Sequence, residues 1–248
     1  MAYMKVPVFA LVLFVLFGCG KKVEVIPPGD TAVNNAQTPP AIHPNDSVSY
    51  LALCDSYTYG AGVPQSGSYP YQLAAQLSGQ HYLISDPRVA AFQGWTAADL
   101  LTGIQAVNIA RKFDFVTLLI GVNDERRNTD RATYTTQVDQ LITQATQYAR
   151  GYSRRVFVLS IPDWSVTPFA AGMDKAKIKA EVAMFNAINE AECKKLGANY
   201  VDISAVQALA ANDETLTAGD GLHPSAKMYA LWVGQLLPVV KGAFGSVH

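Results

Sequence analysis

The runs of apolar residues along the chain fall into alternating extended and helical segments. Residues 47–53 (SVSYLAL) make a short run of extended type. Residues 69–77 have helical spacing, and 81–92 hold one or two strands. Residues 96–109 read as a helix that opens on Thr96 and Asp99, spaced as a capping pair. Residues 113–120 (FDFVTLLI) are almost wholly apolar, as a strand covered on both faces requires. A polar-rich helix over 131–150 follows, then a second buried strand at 155–161 (RVFVLSI). A long helix over 174–196 stops at Gly197. A short strand at 199–203 and a closing helix at 224–240, with Pro224 in its first turn, complete the pattern. The alternation predicts a three-layer α/β/α sandwich around a mostly parallel five-stranded sheet. In such sheets the ligand crevice lies beyond the carboxyl ends of the strands.

The amino-terminal end breaks the alternation. Lys5 precedes a run, 6–17, that is apolar except for Pro7. It falls short of the ~20 residues a bilayer span needs and has the length of a secretory core segment. The run ends in Leu16-Phe17-Gly18-Cys19, which resembles the lipobox of bacterial lipoproteins. That resemblance implies a signal peptide over 1–18 and lipidation of Cys19; a plain signal peptide or a short membrane anchor is the alternative. Gly20 after the Cys, where an Asp would imply inner-membrane retention, points to an outer-membrane anchor. Residues 19–47 would then be the lipidated Cys and an extended tether, with Pro at 27, 28, 39, 40 and 44, leaving 48–243 as the domain.

Composition narrows the function classes. Hydrophobic residues at 50% and charged residues at 16% exclude a chain disordered throughout. A net charge of −1 gives no footprint for a nucleic-acid partner. With only four His and three Cys, and neither CxxC nor HExxH, no metal site and no cofactor is expected. Cys54 and Cys193 are expected as free buried thiols.

Candidate chemistry lies just after the strands, where the crevice should be. There stand Cys54-Asp55-Ser56-Tyr57-Thr58, Gln93-Gly94-Trp95-Thr96, Gly121-Val122-Asn123-Asp124 and, before the last helix, Asp220-Gly221-Leu222-His223-Pro224. A serine hydroxyl needs a neighbouring base to become a nucleophile. A histidine, which ordinarily titrates near ~6.5, suits that task at neutral pH. It needs a carboxylate to orient its ring and balance its cation. Asp220 and His223 are close enough for one turn to bring their side chains together. The Ser56 and Gly94 backbone N–H groups and the Asn123 amide would supply an oxyanion hole. Asp202, after the last strand, competes with Asp220 for the acid's part. His81 stands at a strand start and His43 in the expected tether, so His223 is the well-placed base.

These blocks, in this order, resemble the SGNH hydrolases, also called GDSL-type esterases and lipases. The resemblance runs from about Tyr50 to Leu236 and implies a flavodoxin-like sandwich. It also implies a Ser56–His223–Asp220 triad, an oxyanion hole of Ser56, Gly94 and Asn123, and hydrolysis of carboxylic esters without a cofactor. The expected partners are small-molecule, glycan or lipid ester substrates, plus the membrane through the lipid anchor. A carbohydrate O-deacetylase is one alternative, and a surface-binding lipoprotein without catalysis is another. One position departs from the family pattern: Cys54 stands where the first block usually has Gly. Cys fits there if 54 ends a strand, and is strained if that position needs a positive φ. Trp164 and Phe169, in an aromatic, Pro-rich stretch after the fourth apolar run, either line a substrate pocket or pack as ordinary core.

Overall fold

The computed structural model describes residues 38–245. The expected signal peptide, Cys19 and most of the expected tether lie outside the described residues.

Five strands form the main sheet: β1 Tyr50–Cys54, β2 Arg88–Ala91, β3 Phe115–Leu119, β4 Val156–Leu159 and β5 Asn199–Val201. Their order is β2-β1-β3-β4-β5, and every neighbouring pair is parallel. This is the doubly wound order whose switch point lies beside β1. Every residue of β1, β3 and β4 is buried, which is why these strands read as unbroken apolar runs. The expected first strand divides at Ser49. Its N–H and hydroxyl both donate to Asp114 Oδ2 (2.8 and 2.6 Å), while Ser47–Val48 pair separately with Leu83–Ile84.

Helices cover both faces. They are α1 Ser56–Tyr59, α2 Tyr69–Ser78, α3 Ala97–Val107, α4 Val122–Arg126, α5 Arg131–Tyr148, α6 Lys175–Leu196, α7 Ser204–Gln207 and α8 Ala226–Ala243. Helices α2 and α8 pack together, and α3, α5 and α6 form the opposite row. On the α2–α8 side Tyr50 stacks on Phe115 at 4.3 Å, and the Tyr69 hydroxyl meets Thr117 Oγ1 at 3.2 Å. In the opposite row the Tyr134 hydroxyl donates to Ile120 O and Asn189 Oδ1 (3.0 and 2.9 Å).

Local signals behave as their chemistry requires. The Thr96–Asp99 box is formed in both directions: Thr96 Oγ1 accepts from the Asp99 N–H, and Asp99 Oδ2 from the Thr96 N–H. Helix α6 ends on Gly197 at φ +72°. Two expectations need correction. Pro224 stands before α8 rather than within it, because the Ser225 hydroxyl takes the Met228 N–H (3.3 Å) and makes 225 the cap. The end of the expected tether, 38–47, packs on the domain: Ile42 is buried, its N–H donates to Phe244 O (2.8 Å), and the Asn45 N–H donates to His81 O (2.7 Å). Apolar burial and matched backbone groups there offset the entropy of ordering those residues.

Candidate active site

The first strand delivers the candidate nucleophile. Cys54 closes β1 without a positive φ, so the Gly-to-Cys departure brings no backbone strain. Asp55 caps α1, its Oδ1 accepting the Tyr57 N–H at 2.9 Å. Ser56 opens α1, so its own N–H belongs to the first turn and has no intrahelical acceptor.

Asp220 and His223 come from the turn ahead of α8. The Ala218 N–H donates to His223 O (2.7 Å) and the Ser225 N–H to Leu216 O (2.9 Å), closing the segment on itself. Gly221 at φ +74° makes the reversal possible. Asp220 Oδ1 accepts the Leu222 and His223 N–H groups, each at 2.9 Å, and Oδ2 lies 2.6 Å from His223 Nδ1. On the other side of the ring, Nε2 lies 3.0 Å from Ser56 Oγ, across 167 positions of sequence. With Nδ1–H donated to the carboxylate, Nε2 is left to accept the serine proton. Burial pushes the Asp220 carboxyl up, but the donors from Leu222 and His223 outweigh it and hold the carboxyl below its usual range. Asp202 points elsewhere, bonding Ser160 Oγ and the Ser204 N–H, so it does not share this ring. The Tyr57 ring packs 4.9 Å from the imidazole.

Gly94 and Asn123 complete the cluster. Gly94 adopts φ +79°, and its carbonyl accepts from Arg127 Nη2 at 2.8 Å. Its N–H has no acceptor among the described residues. Asn123 Nδ2 donates to Trp95 O (3.0 Å) and Asp55 Oδ2 (3.2 Å), so the amide sits between the Ser56 and Gly94 turns. Gly121, just before it, holds φ +123°, and a Cβ there would lie 2.2 Å from the Tyr134 hydroxyl. Asp124 Oδ2 accepts the Ala97 N–H (2.9 Å) and ties this turn to α3. Burial pushes Asp55 up to about 7 and Asp124 to about 6. The Asp55–Asn123 tie could not be read from the sequence as a bond; the one signal for it was an Asp placed immediately before the Ser.

The aromatic stretch separates into two parts. Trp164 is core, its indole N–H donating to Glu125 Oε2 at 2.8 Å. Phe169 is 37% exposed, and its N–H donates to Gly221 O (2.8 Å), which leans the segment on the Asp220–His223 turn. Both border a cavity of about 400 Å³. Cys54 and Cys193 are free and buried, and burial pushes both thiols up, Cys193 to about 12.

With this geometry in place, residues 52–231 match the model of the GDSL-like lipase/acylhydrolase family. The chain belongs to that family. Solved structures of similar fold include TesA, 19% identical, covering 79% of this chain and 99% of its own, with a TM-score of 0.61. The lipase/acylhydrolase from Enterococcus faecalis is also 19% identical, covering 79% and 96%, at 0.62. A variant of Axe2, an acetyl xylan esterase from Geobacillus stearothermophilus, is 18% identical, covering 78% and 94%, at 0.60. No curated protein sequence matches the chain. These likenesses establish the GDSL-like hydrolase fold, and family membership places the chain among ester hydrolases at a general level.

Proposed function

We propose that this GDSL-like protein is a serine esterase in which Ser56, His223 and Asp220 act as a triad. The observation that carries the reading is the pair of contacts on one imidazole, 3.0 Å to Ser56 Oγ and 2.6 Å to Asp220 Oδ2. Ser56 Oγ attacks the ester carbonyl while Nε2 takes its proton, and the carbonyl pair of electrons moves onto oxygen. The oxyanion is met by the Ser56 and Gly94 N–H groups and by Asn123 Nδ2, which exchanges its longer bond, to Asp55, for the new one. The tetrahedral species collapses, Nε2 returns the proton to the departing alcohol, and the acyl group stays on Ser56. Water then repeats the cycle with Nε2 as base and releases the acid and the free serine.

A fluorophosphonate probe tests the reading. The protein is expected to be labelled and Ser56→Ala is not; labelling that survives the substitution removes Ser56 as nucleophile. A carbohydrate O-acetyl ester is a second candidate substrate, supported by the fold likeness to an acetyl xylan esterase. Acetylated oligosaccharides set against acyl-chain esters on the purified protein separate the two. We also propose lipidation at Cys19, supported by Leu16-Phe17-Gly18-Cys19, and an exported, outer-membrane location. Cys19→Ala is expected to move the protein from the membrane to the soluble fraction; an unchanged distribution rejects the anchor.

A further inference from the structure

In the proposed reaction the departing alcohol oxygen takes its proton from His223 Nε2, so the alcohol part of the substrate leaves on the His223 side of Ser56. Phe169, which leans on the Asp220–His223 turn, borders a cavity of about 400 Å³ together with Arg126, Trp164, Met173, Lys177 and Glu181. Its wall is joined to the acid–base turn through the Phe169 N–H and Gly221 O.

Arg126 holds a particular place in this wall. It is the last residue of α4, three positions after Asn123 and therefore on the same helical face. Its guanidinium carbon lies 5.0 Å from the Phe169 ring centre and 5.6 Å from that of Trp164. Cation–π contact with two rings set 64° apart holds the guanidinium between them without using its N–H donors. The side chain is exposed, and among the described residues no hydrogen bond or ion pair engages those donors. The surrounding carboxylates have other hydrogen-bond or ion partners, and Glu125 also feels the Arg126 charge. Glu125 Oε2 takes the Trp164 indole N–H, Asp174 Oδ1 takes the Lys177 N–H (3.0 Å), and Glu181 faces Lys177 Nζ at 3.8 Å. The Arg126 charge also acts on the Tyr57 phenol, whose ring packs against His223.

We propose that Arg126 is a specificity-determining residue that grips an anionic group, carboxylate or phosphate, on the alcohol part of the ester. The proposal rests on the Ser56–His223 chemistry above and deepens it. A planar guanidinium presents a fork that matches either anion with two N–H···O bonds. The hydroxyls of a neutral alcohol can accept single hydrogen bonds but offer neither the charge nor the paired oxygens that match the fork.

The test uses the full chain and three esters with one acyl group: 1-acetylglycerol, 3-acetylglycerate and 1-acetylglycerol 3-phosphate. At least one anionic ester is expected to be cleaved with a kcat/KM about tenfold above the neutral one, carried by KM. The two anionic arms separate a hydroxy acid from a phosphorylated alcohol. Arg126→Gln is expected to bring the ratio close to one, and Arg126→Lys to restore part of it. A ratio near one in the unaltered protein, or a preference that Arg126→Gln leaves in place, overturns the proposal. A second measurement needs no turnover: glycerate or glycerol 3-phosphate, but not glycerol, slows fluorophosphonate labelling of the unaltered protein and fails to slow it in Arg126→Gln. Equal slowing by glycerol, or none by any of the three, also overturns it. Absence of labelling in every sample instead rejects Ser56 as the nucleophile.

Discussion

Asp55 is buried beside Ser56, where its oxygens take the Cys54 thiol, the Tyr57 N–H and the Asn123 amide. Burial pushes it up to about 7, so between the ordinary carboxyl range near ~4 and about 7 the folded chain holds a proton that the unfolded chain has released. Its contribution to stability therefore falls as pH rises through that window. Urea unfolding at several pH values is expected to show the unaltered protein losing stability relative to Asp55→Asn from pH ~4 to ~7; parallel curves for the two contradict this. Asp220 carries the opposite sign, because its carboxyl is held low in the fold. In activity, Asp220→Asn is expected to lower kcat by about 10⁴-fold, because the ring loses the partner that fixes its tautomer. Asn123→Ala is expected to cost about 10²–10³ in kcat with little change in KM, as loss of one oxyanion donor does. At this scale the sequence was legible in the meeting of Ser56, His223 and Asp220, which the structure brings within hydrogen-bond reach; their tasks belong to the proposed mechanism. It was silent about Arg126, whose significance comes from rings at 164 and 169 that only the folded chain brings to it.

Elements were readable in proportion to the number of residues that vote for them. The 113–120 run and the Thr96–Asp99 box each announce their structure through several residues at once, whereas α1, α4 and α7 are single turns with no period to detect. Those short turns carry much of the site, since Ser56 opens α1 and Asn123 and Arg126 lie on α4. The turn before α4 depends on Gly121, where φ is +123° and a Cβ would also fall 2.5 Å from Ile161 Cδ1. Gly121→Ala is expected to destabilise the protein by about 3 kcal/mol or more, from backbone strain plus overpacking, measured by urea unfolding. A loss under about 1 kcal/mol would mean that the backbone relaxes there without difficulty.

For the molecule as a whole, the parallel sheet and both helical layers followed from the alternation of apolar runs, because a strand buried on two faces must be apolar at nearly every position. The start of the domain did not follow, since residues 38–47 have the composition of a spacer yet bury Ile42 and bond to His81 and Phe244. A chain beginning at residue 38 keeps these contacts. One beginning at residue 48 is expected to lose about 2 kcal/mol or more, read as a lower Tm. Equal melting of the two shortened chains would return 38–47 to the spacer.

Residues 216–225 are laced to themselves, Leu216 to Ser225 and Ala218 to His223, with the aspartate bonded to the backbone of its own histidine. In the proposed mechanism, proton handling is thus carried as a cartridge that brings its own internal alignment. On that mechanism, mutational drift in the neighbouring wall at 163–171 would reshape what the enzyme accepts without retuning how it moves a proton, so that new substrates would become accessible through a few substitutions around an inherited engine.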